Sequence, residues 1–387
     1  MATFRKIRVL QAIRQGQIGG GESHVLSLVS ALDKERFEPV VLSFTDGPMI
    51  DRLNEMEIPN HVISSAKPFD PACISKVSAL LKQERINMVH AHGTRAASNL
   101  FLPARLNGCP MIYTIHGWSF HQDQPFFKKH LRILSERMLT GLAKKNISVS
   151  ASNRETGVKH FPGFRSAVIN NGINLDHFNP HRKMKDLREE LGIPASHTVA
   201  GYIARITLQK DPLTLIRAFS KVLQHTSNIT LLVVGDGDMK QETVDLAGSL
   251  GIAQHVRFLP FRTDVPEMLK AVDIFCLPSL WEGMPIGLLE AMAMAKAVIV
   301  TAVDGSREIV QHMQNGLVVP VKDPEALAAA ITQLHRDVPL RGRLQAAAAA
   351  TVSREYSVEK MARQVEGIYE GIIQTQQRFN IHEPNHI

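Results

Sequence analysis

Short apolar runs alternate with amphipathic stretches in two successive blocks, and no feature constrains the fold of this chain more. In the first block, candidate strands lie at 7–13, 39–43, 88–91, 111–115, 146–149 and 167–169, with helical patterns at 22–32, 72–84 and 127–143 between them. In the second, strands at 198–203, 229–234, 255–258, 274–277 and 297–300 alternate with helical patterns at 212–224, 239–250, 285–293 and 324–334. Val- and Ile-rich strands separated by helices of this length read as βαβ units, which require a parallel sheet covered on both faces. The turn cluster Asn170-Asn-Gly-Ile-Asn174 and the polar stretch Asn179-Pro-His-Arg-Lys-Met-Lys185 mark the connection between the blocks. The expectation is therefore an α/β protein of two doubly wound domains, 1–175 and 176–357. The closing segment 358–387, helical over 358–374, is expected to pack back onto the first. A chain of 387 residues is also too long for one ordinary core.

Charge separates the blocks further. Residues 1–182 hold 23 Lys+Arg against 14 Asp+Glu, a net +9; the whole chain holds 44 against 37, leaving 21 against 23, or −2, for the remainder. A basic first half is compatible with an anionic membrane surface or an acidic substrate. Nucleic acid is not expected, since aromatic residues are 6% of the chain and no RNP-like or zinc-finger pattern occurs. Cys73, Cys109 and Cys276 are sparse and odd in number, which argues for a reducing compartment and against disulfides or a zinc site. The first residues read as a β-strand with no cleavage site, and no run reaches the ~18 apolar residues of a membrane span. A cytoplasmic protein is expected; the basic run Phe126-Phe-Lys-Lys-His-Leu-Arg132 reads first as an ordinary amphipathic helix, with contact at the inner face of the cell membrane as the alternative.

Open parallel sheets bind ligands beyond the carboxyl ends of their strands, so chemistry is sought in strand-to-helix loops. Gly19, Gly20 and Gly21 follow the first strand and open a helix, where backbone can approach a ligand and free N–H groups can meet an anion. His116 ends the strand 111–115. Arg205 and Lys210 follow the strand 198–203; a planar fork and a point charge together suit a diphosphate. The densest segment is Glu282-Gly-Met-Pro-Ile-Gly-Leu-Leu-Glu290. Its two carboxylates suit vicinal hydroxyls, and the amides around Gly283, Met284, Pro285 and Ile286 sit at a helix start that favours phosphate. Asp236-Gly-Asp238 spells an acid-x-acid pattern of metal-dependent sugar transferases, but its flanking glycines read as a simple turn. No metal site is expected.

These pieces, in this order, resemble the retaining glycosyltransferases of family 4, which have the GT-B fold of two Rossmann-like domains facing across a cleft. The resemblance covers nearly the whole chain and is most specific in the E-x7-E segment from Glu282 to Glu290. It implies transfer of a sugar from a nucleoside-diphosphate-sugar donor to a glycan, lipid-linked or small-molecule acceptor, with no cofactor or metal, in surface polysaccharide or glycoconjugate assembly. It further implies that Arg205 and Lys210 neutralise the donor diphosphate, Glu290 binds the ribose and Glu282 holds the sugar. His116 would approach the transferred sugar, and Gly19–Gly21 would lie near the phosphates. Ala204 and Asp211 stand where the family usually has glycine, and Asn174 where aspartate is common. A nucleotide-sugar 2-epimerase of the same fold and a non-catalytic nucleotide-sugar-binding protein are the alternatives.

Overall fold

A computed structural model describes residues 6–65, 67–120 and 124–382. The chain divides into two compact units, Met1–Gly172 with Val358–Ile387, and Ile173–Ser357. The crossing falls at Gly172/Ile173, ahead of the polar stretch 179–185, because the Ile173 backbone is already tied to the second unit. Its N–H donates to the Tyr356 carbonyl, and it bridges Ser357.

In the first unit, β1 (Ile7–Ile13), α1 (Gly20–Ala31), β2 (Phe37–Ser43), α2 (Pro48–Glu55) and β3 (Asn60–Val62) come first. They are followed by α3 (Ala72–Gln83), β4 (Met88–His92), α4 (Thr94–Leu106), β5 (Met111–Ile115), α5 (Phe126–Leu142), β6 (Lys145–Ser148), α6 (Ala151–His160) and β7 (Ala167–Val168). The strands form one parallel sheet in the order β3-β2-β1-β4-β5-β6-β7.

The second unit runs through α7 (Leu187–Glu190), β8 (Thr198–Ile203), α8 (Pro212–Leu223), β9 (Ile229–Val234), α9 (Lys240–Ser249), β10 (Val256–Leu259), α10 (Val265–Ala271) and β11 (Ile274–Leu277). It closes with α11 (Ile286–Ala293), β12 (Ala297–Thr301), α12 (Asp304–Ile309), β13 (Leu317–Val319), α13 (Pro324–Arg336) and α14 (Val338–Glu355). Its sheet is parallel in the order β10-β9-β8-β11-β12-β13. In both sheets the winding reverses beside the first strand, between β1 and β4 and between β8 and β11. That reversal opens a crevice at the carboxyl ends of those strands.

The final helix, α15 (Val358–His382), belongs to the first unit. Val358, Met361, Ala362, Val365, Tyr369 and Ile372 recur at helical spacing and share a core with Val9, Leu28, Phe37, Met88, Ile112 and Ile147. A polar link fixes its register: the Gln11 Nε2 donates to the Tyr369 hydroxyl at 2.8 Å, and that hydroxyl lies 2.6 Å from His90 Nδ1.

Candidate active site

The crevice of the second unit gathers the charged residues of the sequence reading. Arg205 lies two residues past β8 and is exposed, with no ion pair among the described residues. Lys210 closes a short 3₁₀ turn, Leu208–Lys210. Asp211 then turns the chain into α8 with φ +46° and caps the helix, accepting from Thr214 N–H and Thr214 Oγ1. A left-handed backbone is one that glycine adopts freely, and aspartate is among the few other residues that adopt it readily.

Lys210 reaches the loop after β11 and forms a salt bridge with Glu282, whose side chain is 5% exposed. The same carboxylate oxygen accepts from Ser279 Oγ at 2.6 Å. Two further bonds clamp the two loops together, from Leu280 N–H to the Gln209 carbonyl at 2.8 Å and from Gln209 Nε2 to the Trp281 carbonyl at 2.9 Å. The first turn of α12 supports this loop from below: a Cβ on Gly305 would stand 2.1 Å from the Gly283 carbonyl oxygen, so the backbones touch. The segment Asp304-Gly-Ser-Arg-Glu308 thus shapes the loop.

Pro285 is extended and precedes α11, so the helix starts one residue later than its proline suggests. Met284 and Ile286 turn inward and are 6% and 7% exposed, which leaves their backbone amides as the groups able to meet a ligand. One turn into α11, Glu290 folds back toward the helix start, with its Oε2 4.0 Å from the Cβ position of Gly287. No hydrogen bond or ion pair to this carboxylate occurs among the described residues. Partial burial with no ion pair to offset it raises its pKa from 4.5 to about 7. A half-buried, unpaired carboxylate near a helix N-terminus is set to accept hydroxyl donors.

The strand ends of the first unit carry a second cluster, of histidines. His92 ends β4, His116 follows β5, and His24 sits in α1 behind the glycine loop; Gly21 lies against both Ile13 and the His116 ring. Hydrogen bonds fix the tautomers. His92 Nε2 faces the Gln11 amide oxygen at 2.9 Å and must donate to it, so its Nδ1 carries the lone pair. That Nδ1 lies 3.1 Å from His116 Nε2. Burial lowers all these pKa values: His24 to about 4, His90 to about 3, and His92 and His116 well below the usual histidine range. The cluster is neutral at pH 7, so His116 serves as a neutral imidazole. The residues Gln11, His24 and His92 were not read from sequence; strand pairing brings together Gln11 and His92, 81 residues apart, and α1 places His24 beside them.

Asp236 and its neighbours bear out the reading of a turn. Asp236 holds Lys240 and accepts the Phe261 N–H, and a Cβ on Gly235 would stand 2.1 Å from the Ala204 carbonyl.

The chain matches two family models, "Glycosyltransferase Family 4" over residues 18–177 and "Glycosyl transferases group 1" over residues 183–351. It belongs to the family 4 glycosyltransferases. Among its relatives, the Escherichia coli UDP-Gal:alpha-D-GlcNAc-diphosphoundecaprenol alpha-1,3-galactosyltransferase is 26% identical, with 87% of this chain and 90% of that protein covered. The Mycobacterium leprae phosphatidyl-myo-inositol mannosyltransferase is also 26% identical, covering 92% and 93%. The fold is shared with Anabaena HepE, solved with UDP and glucose, at a TM-score of 0.83 and 23% identity over 94% of this chain and all of that one. The enzyme is a GT-B glycosyltransferase, a family setting of glycoconjugate biosynthesis. No helix among the described residues is long and apolar enough to cross a membrane.

Proposed function

We propose that this glycosyltransferase is a retaining, metal-independent enzyme that uses a nucleoside-diphosphate sugar. The observation that carries this is the crevice of the second unit, where Arg205, without an ion pair among the described residues, and the Lys210–Glu282 pair follow the strand ends and the half-buried Glu290 lies near the start of α11. Arg205 and Lys210 neutralise the diphosphate, joined by the backbone amides at the helix start; Glu290 accepts the ribose hydroxyls; Glu282 and the Gly283 backbone hold the sugar. The bond from the anomeric carbon to the diphosphate oxygen breaks as the acceptor oxygen attacks on the same face, and its proton passes to the departing phosphate. In the first unit, His116, a neutral imidazole, and the Gly19–Gly21 loop sit at the carboxyl ends of its own strands. UDP is the first base to test, because the related HepE structure holds it. With a UDP-α-sugar and excess EDTA, the product should be the α-anomer by proton NMR; a β-linked product, or turnover abolished by EDTA, would refute the mechanism.

The acceptor is read as anionic and lipid-linked. Burial and then the charge of nearby Arg14 lower the pKa of Arg95, and neither arginine meets a carboxylate among the described residues. On α5, Phe127, Leu131, Leu134 and Met138 recur along one side and are 82%, 61%, 62% and 40% exposed, with Phe126 at 77%. Lys128 and Arg137 are exposed on the same helix. The helix is anchored from its other side by Glu136, which accepts from Thr94 Oγ1 at 2.6 Å and the Tyr113 hydroxyl at 2.9 Å. Apolar side chains framed by cations match the interface of an anionic bilayer. Flotation with phosphatidylglycerol vesicles should enrich the protein, and Phe127→Ser with Leu131→Gln should reduce this at least fivefold; equal flotation of the variant would refute the contact.

A further inference from the structure

Three imidazoles in the first unit converge without a shared purpose in sugar transfer. One ring nitrogen each from His24, His92 and His116 lies within 4.8 Å of the other two. The far nitrogen of two rings is already committed to an amide oxygen. His24 Nδ1 lies 2.9 Å from Asn171 Oδ1, and His92 Nε2 lies 2.9 Å from Gln11 Oε1. Each of those nitrogens donates, so His24 Nε2 and His92 Nδ1 present lone pairs. The first of these is buried and has no hydrogen-bond partner, in a side chain only 3% exposed. An uncompensated buried acceptor is costly, and its presence calls for a ligand.

We infer that His24 Nε2, His92 Nδ1 and His116 Nε2 form a site for one divalent transition-metal ion of the zinc class. Imidazole is a preferred ligand for such ions, and a ring whose other N–H is held by an oxygen is the arrangement that orients histidine toward metal. His92 Nδ1 and His116 Nε2 are 3.1 Å apart, close to the ~3.3 Å between two nitrogens on one tetrahedral ion with Zn–N near 2.0–2.1 Å. Binding displaces the proton from His116 Nε2, which passes to Nδ1 of the same ring, and draws the His24 ring inward. Entry is through the half-exposed His116, beside the bare backbone of Gly21. Three protein ligands leave a fourth position for water.

The inference does not depend on the proposed transfer mechanism; it adds that a bound ion occupies His116 and so inhibits an enzyme that needs no metal. The full chain, stripped with EDTA and dialysed, is titrated with Co²⁺ alone and then with Zn²⁺ by calorimetry. We expect one ion per chain, intense tetrahedral d–d absorption of the cobalt form, and at least tenfold weaker Zn²⁺ binding for His24→Gln. Asn171→Leu should weaken binding 10- to 100-fold through the orienting bond. Circular dichroism and UDP-induced stabilisation, which reports on the second unit, identify any variant that fails to fold. Weak octahedral absorption in the wild type, or wild-type affinity in folded His24→Gln, overturns the site whatever the activity of the enzyme.

Discussion

Glu290 is the residue whose surroundings say most about function. A carboxyl group whose folded pKa is about 7, against 4.5 unperturbed, binds a proton in the folded state that the unfolded chain releases between those values. Stability therefore falls as pH rises from about 4.5 to 7, and above pH 7 the fold carries the full cost, on the order of 3 kcal/mol. Glu290→Gln removes that cost. The ligand-free variant should melt well above the wild type at pH 8 and close to it at pH 5; an offset unchanged between the two pH values would show that burial does not raise the Glu290 pKa. Lys210 and Glu282 are different in kind. Their mutual salt bridge keeps two nearly buried charges satisfied until a diphosphate arrives to share the lysine. The individual residues of this crevice were legible in the sequence because they lie within nine positions of one another, or just past a recognisable strand. Glu290's partial burial was not legible, since it arises from packing of α11.

At the scale of elements, strands were easiest to read where apolar residues predominate between turn residues, as at Ile7–Ile13, Ile229–Val234 and Ile274–Leu277. The edge strand Asn60–Val62 carries no such run, and the helix Thr94–Leu106 hides behind an internal Pro103. The helix α14 was missed because its alanine-rich stretch has little apolar periodicity. The docking of α15 could be guessed from its amphipathic face, but not the polar link beneath it. Tyr369 there serves both Gln11 and His90. Tyr369→Phe keeps the ring and strands two buried polar groups, which should lower stability by about 1–3 kcal/mol for each. Urea denaturation followed by the far-UV signal checks this; an unshifted midpoint would mean the link contributes nothing.

For the molecule as a whole, two sheets with the same reversal beside their first strand produce two crevices of opposite character. The first holds neutral histidines, glycine backbone and, among the described residues, Arg14 and Arg95 without a carboxylate partner; the second holds ion pairs, a helix start and Glu290. This division matches a net charge of +8 for the first unit (25 Lys+Arg against 17 Asp+Glu) and −1 for the second (19 against 20). The fold class followed from periodicity, whereas the histidine cluster depended on strand order, which no local pattern encodes. The central claim is that the second crevice is the donor site. Thermal stability should be measured for wild type and Glu290→Ala with UDP, GDP and ADP and their sugar conjugates. One nucleotide series at about 100 times its dissociation constant should stabilise the wild type by ~2.7 kcal/mol, and the variant should lose most of that gain. If no series stabilises the folded wild type, or the variant gains as much as the wild type, the donor site is not where this account puts it.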